Sequence, residues 1–174
     1  TGQTFNYADA HEGAGNAAQM LWFAKTFNEP MFAAHEQKML GKRATPLHLL
    51  WRVGLPTASA GTPPKDRFFK GVDVVFLRSA WDDPKATWVG FKGGDNQANH
   101  SHLDLGAFVL EAGGERWAVD LGSDDYNLPA YFGNKRWTYY RLKTESHNTL
   151  MLDGENQETK AKAPIVAFQS GADK

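Results

Sequence analysis

The chain has 174 residues, a formal net charge of -1, six histidines and no cysteine. That length suits one domain, or one domain and part of another. The balanced charge gives no electrostatic case for a nucleic-acid or membrane-surface partner. The absence of cysteine excludes disulfides, thiol catalysis and Cys-ligated zinc, and no apolar run approaches the ~20 residues of a membrane span.

In chain order, the first third reads helical. Met20, Phe23, Ala24 and Phe27 recur at spacings of three and four, the pattern of an amphipathic helix. Pro30 sits just inside a second helix, Met31 to Leu40, which Gly41 stops. Pro46 to Arg52 makes a third. Gly, Pro, Ser and Thr then dominate residues 54 to 66, the composition of a linker or long loop.

Beyond it the pattern becomes β-type. Strands are predicted near Val72–Ser79, Ala86–Lys92, Leu105–Ala112, Arg116–Leu121, Asn148–Leu152 and Pro164–Gln169. Asp83-Pro84, Gly93-Gly94-Asp95-Asn96, Gly113-Gly114 and Asp153-Gly154 mark turns between them. The expected fold is mixed α and β, mainly β. A helical segment (1–55) and a linker (56–70) precede an antiparallel β-sandwich (71–174). Three helices make a poor core alone, and Gly171-Ala172-Asp173-Lys174 follows no closing strand. Both ends therefore read as cut from a longer chain. The start, Thr1-Gly2-Gln3, equally suits a removed leader.

The densest chemistry lies in Asn99-His100-Ser101-His102-Leu103-Asp104. In extended chain, His100, His102 and Asp104 would share one face. Asp120 and His147 extend the group downstream. Two imidazoles and one carboxylate, His102, His147 and Asp120, suit zinc or a similar ion with an open fourth position. On spacing alone the His-x-His pair is a weak signal, and such pairs also occur as ordinary polar edge residues. His100 is a candidate acid, base or cationic stabiliser; a second ligand or a satisfied polar residue is as open.

In Tyr131-Phe132-Gly133-Asn134-Lys135-Arg136-Trp137-Thr138-Tyr139-Tyr140-Arg141, tyrosines can move protons and arginines hold carboxylates. The aromatic faces suit sugar rings. By composition the stretch also reads as a strand of alternating core aromatics. Asp9, in Asn6-Tyr7-Ala8-Asp9, reads as a helix cap or first-turn acid. No Gly-x-Ser-x-Gly elbow exists, and Gly93-Gly94-Asp95 lacks the ending of a P-loop. Asp82-Asp83 and Asp124-Asp125 sit in turn contexts, where acidic pairs are usually solvated.

The run from Gly93 to Gly106, Phe108-Val109-Leu110, the run from Gly114 to Gly122, and Thr144 to Leu150 followed by Asp153-Gly154-Glu155-Asn156-Gln157 resemble the heparinase II/III-like polysaccharide lyases. Asn6-Tyr7-Ala8-Asp9 is similar to a segment late in that family's helical domain. The resemblance implies the end of an incomplete (α/α) toroid followed by the first part of an antiparallel β-sandwich. The implied activity is β-elimination on uronic-acid polysaccharides. Glycosaminoglycan is the leading substrate class and alginate the alternative, and the implied location is periplasmic or secreted.

By the same resemblance, His102, Asp120 and His147 match a structural zinc site, and Asp104 would orient a ligand imidazole. His100 matches a cleft histidine. Tyr139 and Tyr140 are catalytic candidates, and Asn99, Arg136, Trp137 and Arg141 substrate-binding ones. The remaining catalytic groups would lie on helices before Thr1, so the isolated chain is expected to be weak or inactive. A non-catalytic carbohydrate-binding sandwich with structural zinc, and a hydrolase using zinc-bound water, are the rival readings.

Overall fold

The computed structural model of the chain describes residues 4–13, 15–56 and 61–171. The described residues divide into two compact units, one of residues 13, 15–56 and 61–64 and one of residues 4–12 with 65–171.

The first unit holds three helices: α1 (Gln19–Thr26), α2 (Pro30–Leu40) and α3 (Pro46–Arg52). Leu21, Ala24 and Ala33 form its buried centre, with Phe32, Trp51 and Leu55 against them. Pro30 opens α2 at a position where a missing N–H costs nothing. A capping box opens α3: the Thr45 amide donates to His48 Nδ1 at 3.0 Å. Since Nδ1 accepts, Nε2 carries the proton, which it donates to the buried Glu36 carboxylate at 2.8 Å. Glu36 also accepts the Ala17 amide at 2.8 Å.

The second unit is built on a five-stranded antiparallel sheet in the order β1-β2-β3-β5-β6. Its strands are β1 (Arg67–Phe69), β2 (Val74–Arg78), β3 (Trp88–Lys92), β5 (Phe108–Ala112) and β6 (Glu115–Ala118). β4 (Gly94–Asp95) pairs separately with β7 (Lys162–Ala163). Gly113 and Gly114, both at positive φ (+66° and +95°), form the tight β5–β6 turn, which β-carbon-bearing residues resist. Phe5 belongs to this unit, not to the helices. Its ring packs on Gly90 of β3, where any Cβ would stand 2.7 Å from the ring, and forms a core with Val74 and Val109. Residues 4–12 thus pack with the sheet although they precede α1.

The fold class is as expected, mixed α and β and mainly β, and several boundaries differ. Residues 57–60 of the expected linker lie outside the described residues, and β1 falls within that linker. Asn148–Leu152 forms no ladder among the described residues, beyond an isolated bridge from Leu152 to Glu155. Asn148 instead spends its side-chain amide on the Phe108 and Val119 carbonyls, at 3.1 and 2.6 Å. Pro164–Gln169 is likewise not a strand. Pro164 has no N–H to offer, and the Ile165 amide turns to the Asp73 carboxylate at 3.4 Å.

The aromatic stretch 131–141 is also not a strand. Amides at Tyr131, Gly133, Arg136, Tyr139 and Leu142 each bond the carbonyl three residues back. The result is a chain of turns and short 3-10 helices at Arg136–Thr138, Tyr140–Leu142 and Thr144–Ser146.

Candidate functional site

The loop between β4 and β5 carries the histidines, and side chains rather than a neighbouring strand satisfy its backbone. Gln157 accepts the Leu105 amide and donates to the Leu105 carbonyl, each at 2.9 Å. Thr144 Oγ1 donates to the Leu103 carbonyl at 2.9 Å, and the Leu103 amide reaches the Leu142 carbonyl at 3.0 Å. The loop can therefore turn sharply, and His100 sits at φ +61°. The expected one-faced alternation of His100, His102 and Asp104 does not occur. His102 and Asp104 are fully buried, while the His100 side chain is 47% exposed. Asp104 pairs with the buried Lys92 ammonium, not with an imidazole.

One residue organises the site, and it was read from sequence as a helix cap. Asp9 lies in a turn ahead of α1, with its side chain almost fully buried. Its Oδ2 accepts from His100 Nδ1 at 2.9 Å, and its Oδ1 accepts from His102 Nε2 at 2.9 Å. Tyr131 donates to Oδ1 at 2.9 Å, and Arg136 reaches both oxygens at 3.3 Å. Burial pushes the Asp9 carboxyl up, but the bonds from His102, His100 and Tyr131 and the Arg136 charge outweigh it and hold it below its ordinary value. Asp9 is thus a carboxylate that only accepts, which assigns the donor hydrogens to His100 Nδ1 and His102 Nε2. The one sequence signal for it was its place in Asn6-Tyr7-Ala8-Asp9.

Around His100, Tyr126 lies nearly parallel at 6.2 Å between ring centroids, and Phe132 meets it edge-on at 5.5 Å. Phe132 belongs to the candidate aromatic stretch, whereas Tyr126 lies outside it and carries no signal in the sequence. Tyr131 packs behind them, and burial first, then the Asp9 charge and hydrogen bond, push its phenol up to about 12. Asn99 lines a cavity of about 410 Å³ with Tyr7, Lys92, Ser101 and Lys162.

Other expected contact residues are engaged within the protein. Arg136 is buried, donates to the Ser101 carbonyl at 2.8 Å and lies over the Tyr131, Phe132 and Trp137 rings. Arg141 donates to the Leu121 and Ser123 carbonyls at 2.9 and 3.0 Å. The Tyr139 hydroxyl donates to the Pro129 carbonyl at 2.6 Å, whereas Tyr140 is exposed.

The candidate metal residues are neighbours. His102 and His147 have ring centroids 5.3 Å apart. His147 Nδ1 donates to Asp120 Oδ2 at 2.9 Å, and Asp120 Oδ1 accepts the Gly122 amide at 2.8 Å. His102 Nδ1 and His147 Nε2 are both buried and have no hydrogen-bond partner among the described residues. With their other nitrogens donating, each holds an in-plane lone pair, the donor zinc takes from imidazole. Burial pushes the His102 imidazole below its ordinary value, against the pull of Asp9 and Asp104, and so favours that neutral form. Among the described residues no three His, Asp or Glu side chains converge on one point, because Asp120 faces His147. The fit to a metal rests on the two unpartnered nitrogens, with carboxylates on the far side of each ring.

The family model "Heparinase II/III-like, C-terminal" matches residues 63–167, more than half the chain. The chain belongs to the heparinase II/III-like family. No curated protein matches it. Among solved structures, a mutant of heparan sulfate lyase HepC from Pedobacter heparinus shares the fold at a TM-score of 0.62 and 21% identity, over 88% of this chain and 21% of that one. A heparinase III gene product matches at 0.59 and 21%, over 91% and 22%. A further heparinase III matches at 0.55 and 20%, over 95% and 24%. The chain therefore spans between a fifth and a quarter of the length of these heparinase II/III-like relatives.

Proposed function

We propose that this chain supplies one wall of the catalytic cleft of a polysaccharide lyase, cleaving uronic-acid polysaccharide by β-elimination. The observation that carries the reading is His100: an exposed imidazole on a buried carboxylate, set among aromatic rings in a family member. Glycosaminoglycan is the favoured substrate class, since the fold neighbours include a heparan sulfate lyase and heparinase III proteins. Alginate is the alternative within the superfamily. No described helix is long and apolar enough to cross a membrane. A polymeric substrate of this kind places the enzyme in the periplasm or outside the cell.

The chemistry asks for what His100 offers. The C5 proton of a uronate is weakly acidic because its carboxylate is already negative, so the intermediate needs positive charge or hydrogen-bond donors beside it. The leaving O4 needs a proton. With Nδ1 held by Asp9, the His100 Nε2 edge is the one left to meet substrate, and it donates to developing charge or to the leaving O4 when the ring carries its second proton as imidazolium. Tyr140, exposed nearby in sequence to the bonded Tyr139, is the better placed of that pair to reach a ligand. Zinc would be held by His102 and His147, with Asp120 as third ligand or as the partner of His147, and would supply a structural crosslink.

The test is to incubate the longest form of the protein separately with heparan sulfate, chondroitin sulfate, hyaluronan and alginate. Ultraviolet absorbance of the 4,5-unsaturated uronate is followed in each. A rise with one polymer that disappears in His100→Ala establishes the lyase and names its substrate. Binding without a rise moves the assignment to carbohydrate recognition.

A further inference from the structure

We propose that Asp9 is a positioning residue that fixes His100 in its rarer neutral tautomer and ties that imidazole to the buried pair His102 and His147. This rests on the reading of His100 as the imidazole that meets substrate.

Three features carry it. First, the contact has two points. The Asp9 amide donates to the His100 carbonyl at 3.3 Å, and the Asp9 carboxylate accepts from His100 Nδ1 at 2.9 Å. Backbone and ring are therefore held by one residue, at a position whose left-handed backbone is uncommon for any residue with a β-carbon. Second, the two carboxylate oxygens serve different imidazoles, Oδ2 the exposed His100 and Oδ1 the buried His102. Any rotation of the carboxylate that improves one contact disturbs the other. Tyr131 and Arg136 oppose such rotation from the remaining sides.

Third, the acceptor leaves only one neutral form. A carboxylate takes a hydrogen from each ring, so His100 holds its proton on Nδ1 and His102 on Nε2. His100 Nε2 then has no hydrogen-bond partner among the described residues and is the nitrogen left for a ligand, while His102 keeps a bare, buried Nδ1 on a ring whose centroid is 5.3 Å from that of His147. Free imidazole side chains prefer the opposite form, protonated on Nε2. The preference at His100 is therefore a property of this clasp. It also means that anything binding between His102 and His147 sits one ring and one carboxylate away from His100.

The measurement is long-range ¹H–¹⁵N correlation of the histidine rings in the 174-residue chain, held at a pH where the rings are neutral. His100→Gln assigns the His100 signals. In the wild type, His100 is expected to show protonated Nδ1 and bare Nε2, while the solvent-exposed His35 shows the ordinary preference. In Asp9→Asn, whose single side-chain oxygen cannot serve both rings, the His100 signals move toward the Nε2–H pattern. Tyr131→Phe removes a different partner of Asp9 and is expected to leave the His100 pattern in place. An Nε2–H pattern at His100 in the wild type overturns the proposal, and so does an Asp9→Asn spectrum unchanged at His100. If Asp9→Asn does not fold, the wild-type spectrum alone decides. No substrate enters this measurement, so a lyase assignment that fails leaves the tautomer result standing, and the reverse holds too.

Discussion

The buried Asp120 carboxylate accepts the Nδ1 proton of the buried His147 ring at 2.9 Å, from a position 27 residues earlier in the chain. The bond orients the ring and leaves His147 Nε2 bare beside His102. Adding zinc to the chain is therefore expected to raise its thermal midpoint. At a free concentration near 100 times Kd the gain is about 2.7 kcal/mol. His102→Ala and His147→Ala should each abolish the shift and the retention of zinc after gel filtration. An unchanged midpoint, with no zinc retained by the wild type, rules the site out.

His100 is exposed and contributes little to the core. In the longest form of the enzyme, His100→Ala is expected to reduce turnover by about 10²- to 10⁴-fold, the usual range for a lost acid–base group, with the melting curve nearly unchanged. A comparable loss of turnover accompanied by unfolding would instead assign His100 a structural role.

Much of the fold was readable because it depends on local pattern. Pro30, Pro46 and the spacing of Met20, Phe23 and Phe27 mark helices that form within a residue or two of their expected limits. Gly113-Gly114 marks the β5–β6 turn. The site was less readable because its logic is long-range. Asp9 meets His100 across 91 positions, and no local rule distinguishes such a carboxylate from a helix cap. His100 and His102 were visible as a pair, but alternation presumed extended backbone. Gln157 and Thr144, brought from far along the chain, let that segment turn instead. Asn148 likewise has a strand-like sequence context, and its amide replaces the ladder.

Tyr131 gives a prediction in alkali. Its phenol is buried, and its value is raised from 10.0 to about 12, so the folded state keeps a proton that the unfolded state releases. The stability from this group is complete below about pH 10 and is lost as pH rises toward 12, by about 2–3 kcal/mol in all. Tyr131→Phe should flatten that part of the stability curve, and phenolate absorbance should show one fewer late-titrating tyrosine.

Leu142 is wholly buried, and its carbonyl accepts the Leu103 amide beside the histidine loop. Leu142→Ala is expected to destabilise the chain by about 2–5 kcal/mol through the cavity it leaves. Denaturant midpoints measure this, and a change below 1 kcal/mol, a ~5-fold change in the folding equilibrium, would show that the loop collapses into the space.

Gly122 holds φ +62°, and a Cβ there would collide with the Ala10 carbonyl, next to Asp9. Gly122→Ala should therefore displace the Asp9 segment and lower stability by about 1–3 kcal/mol. Histidine ring signals of His100 and His102 should shift with it, while Gly171→Ala, in open space, serves as the control.

The backbone at His100 is folded in a way that suits glycine or asparagine better than histidine. The residue is kept there against the local preference of the chain. His100→Gly would relieve the conformational strain and forfeit the imidazole, so the variant with the least chemistry at this loop could be among the more thermally robust. A screen of this protein for heat resistance alone would then select against the residue on which its proposed activity depends. Stability and activity should accordingly be scored together at this position.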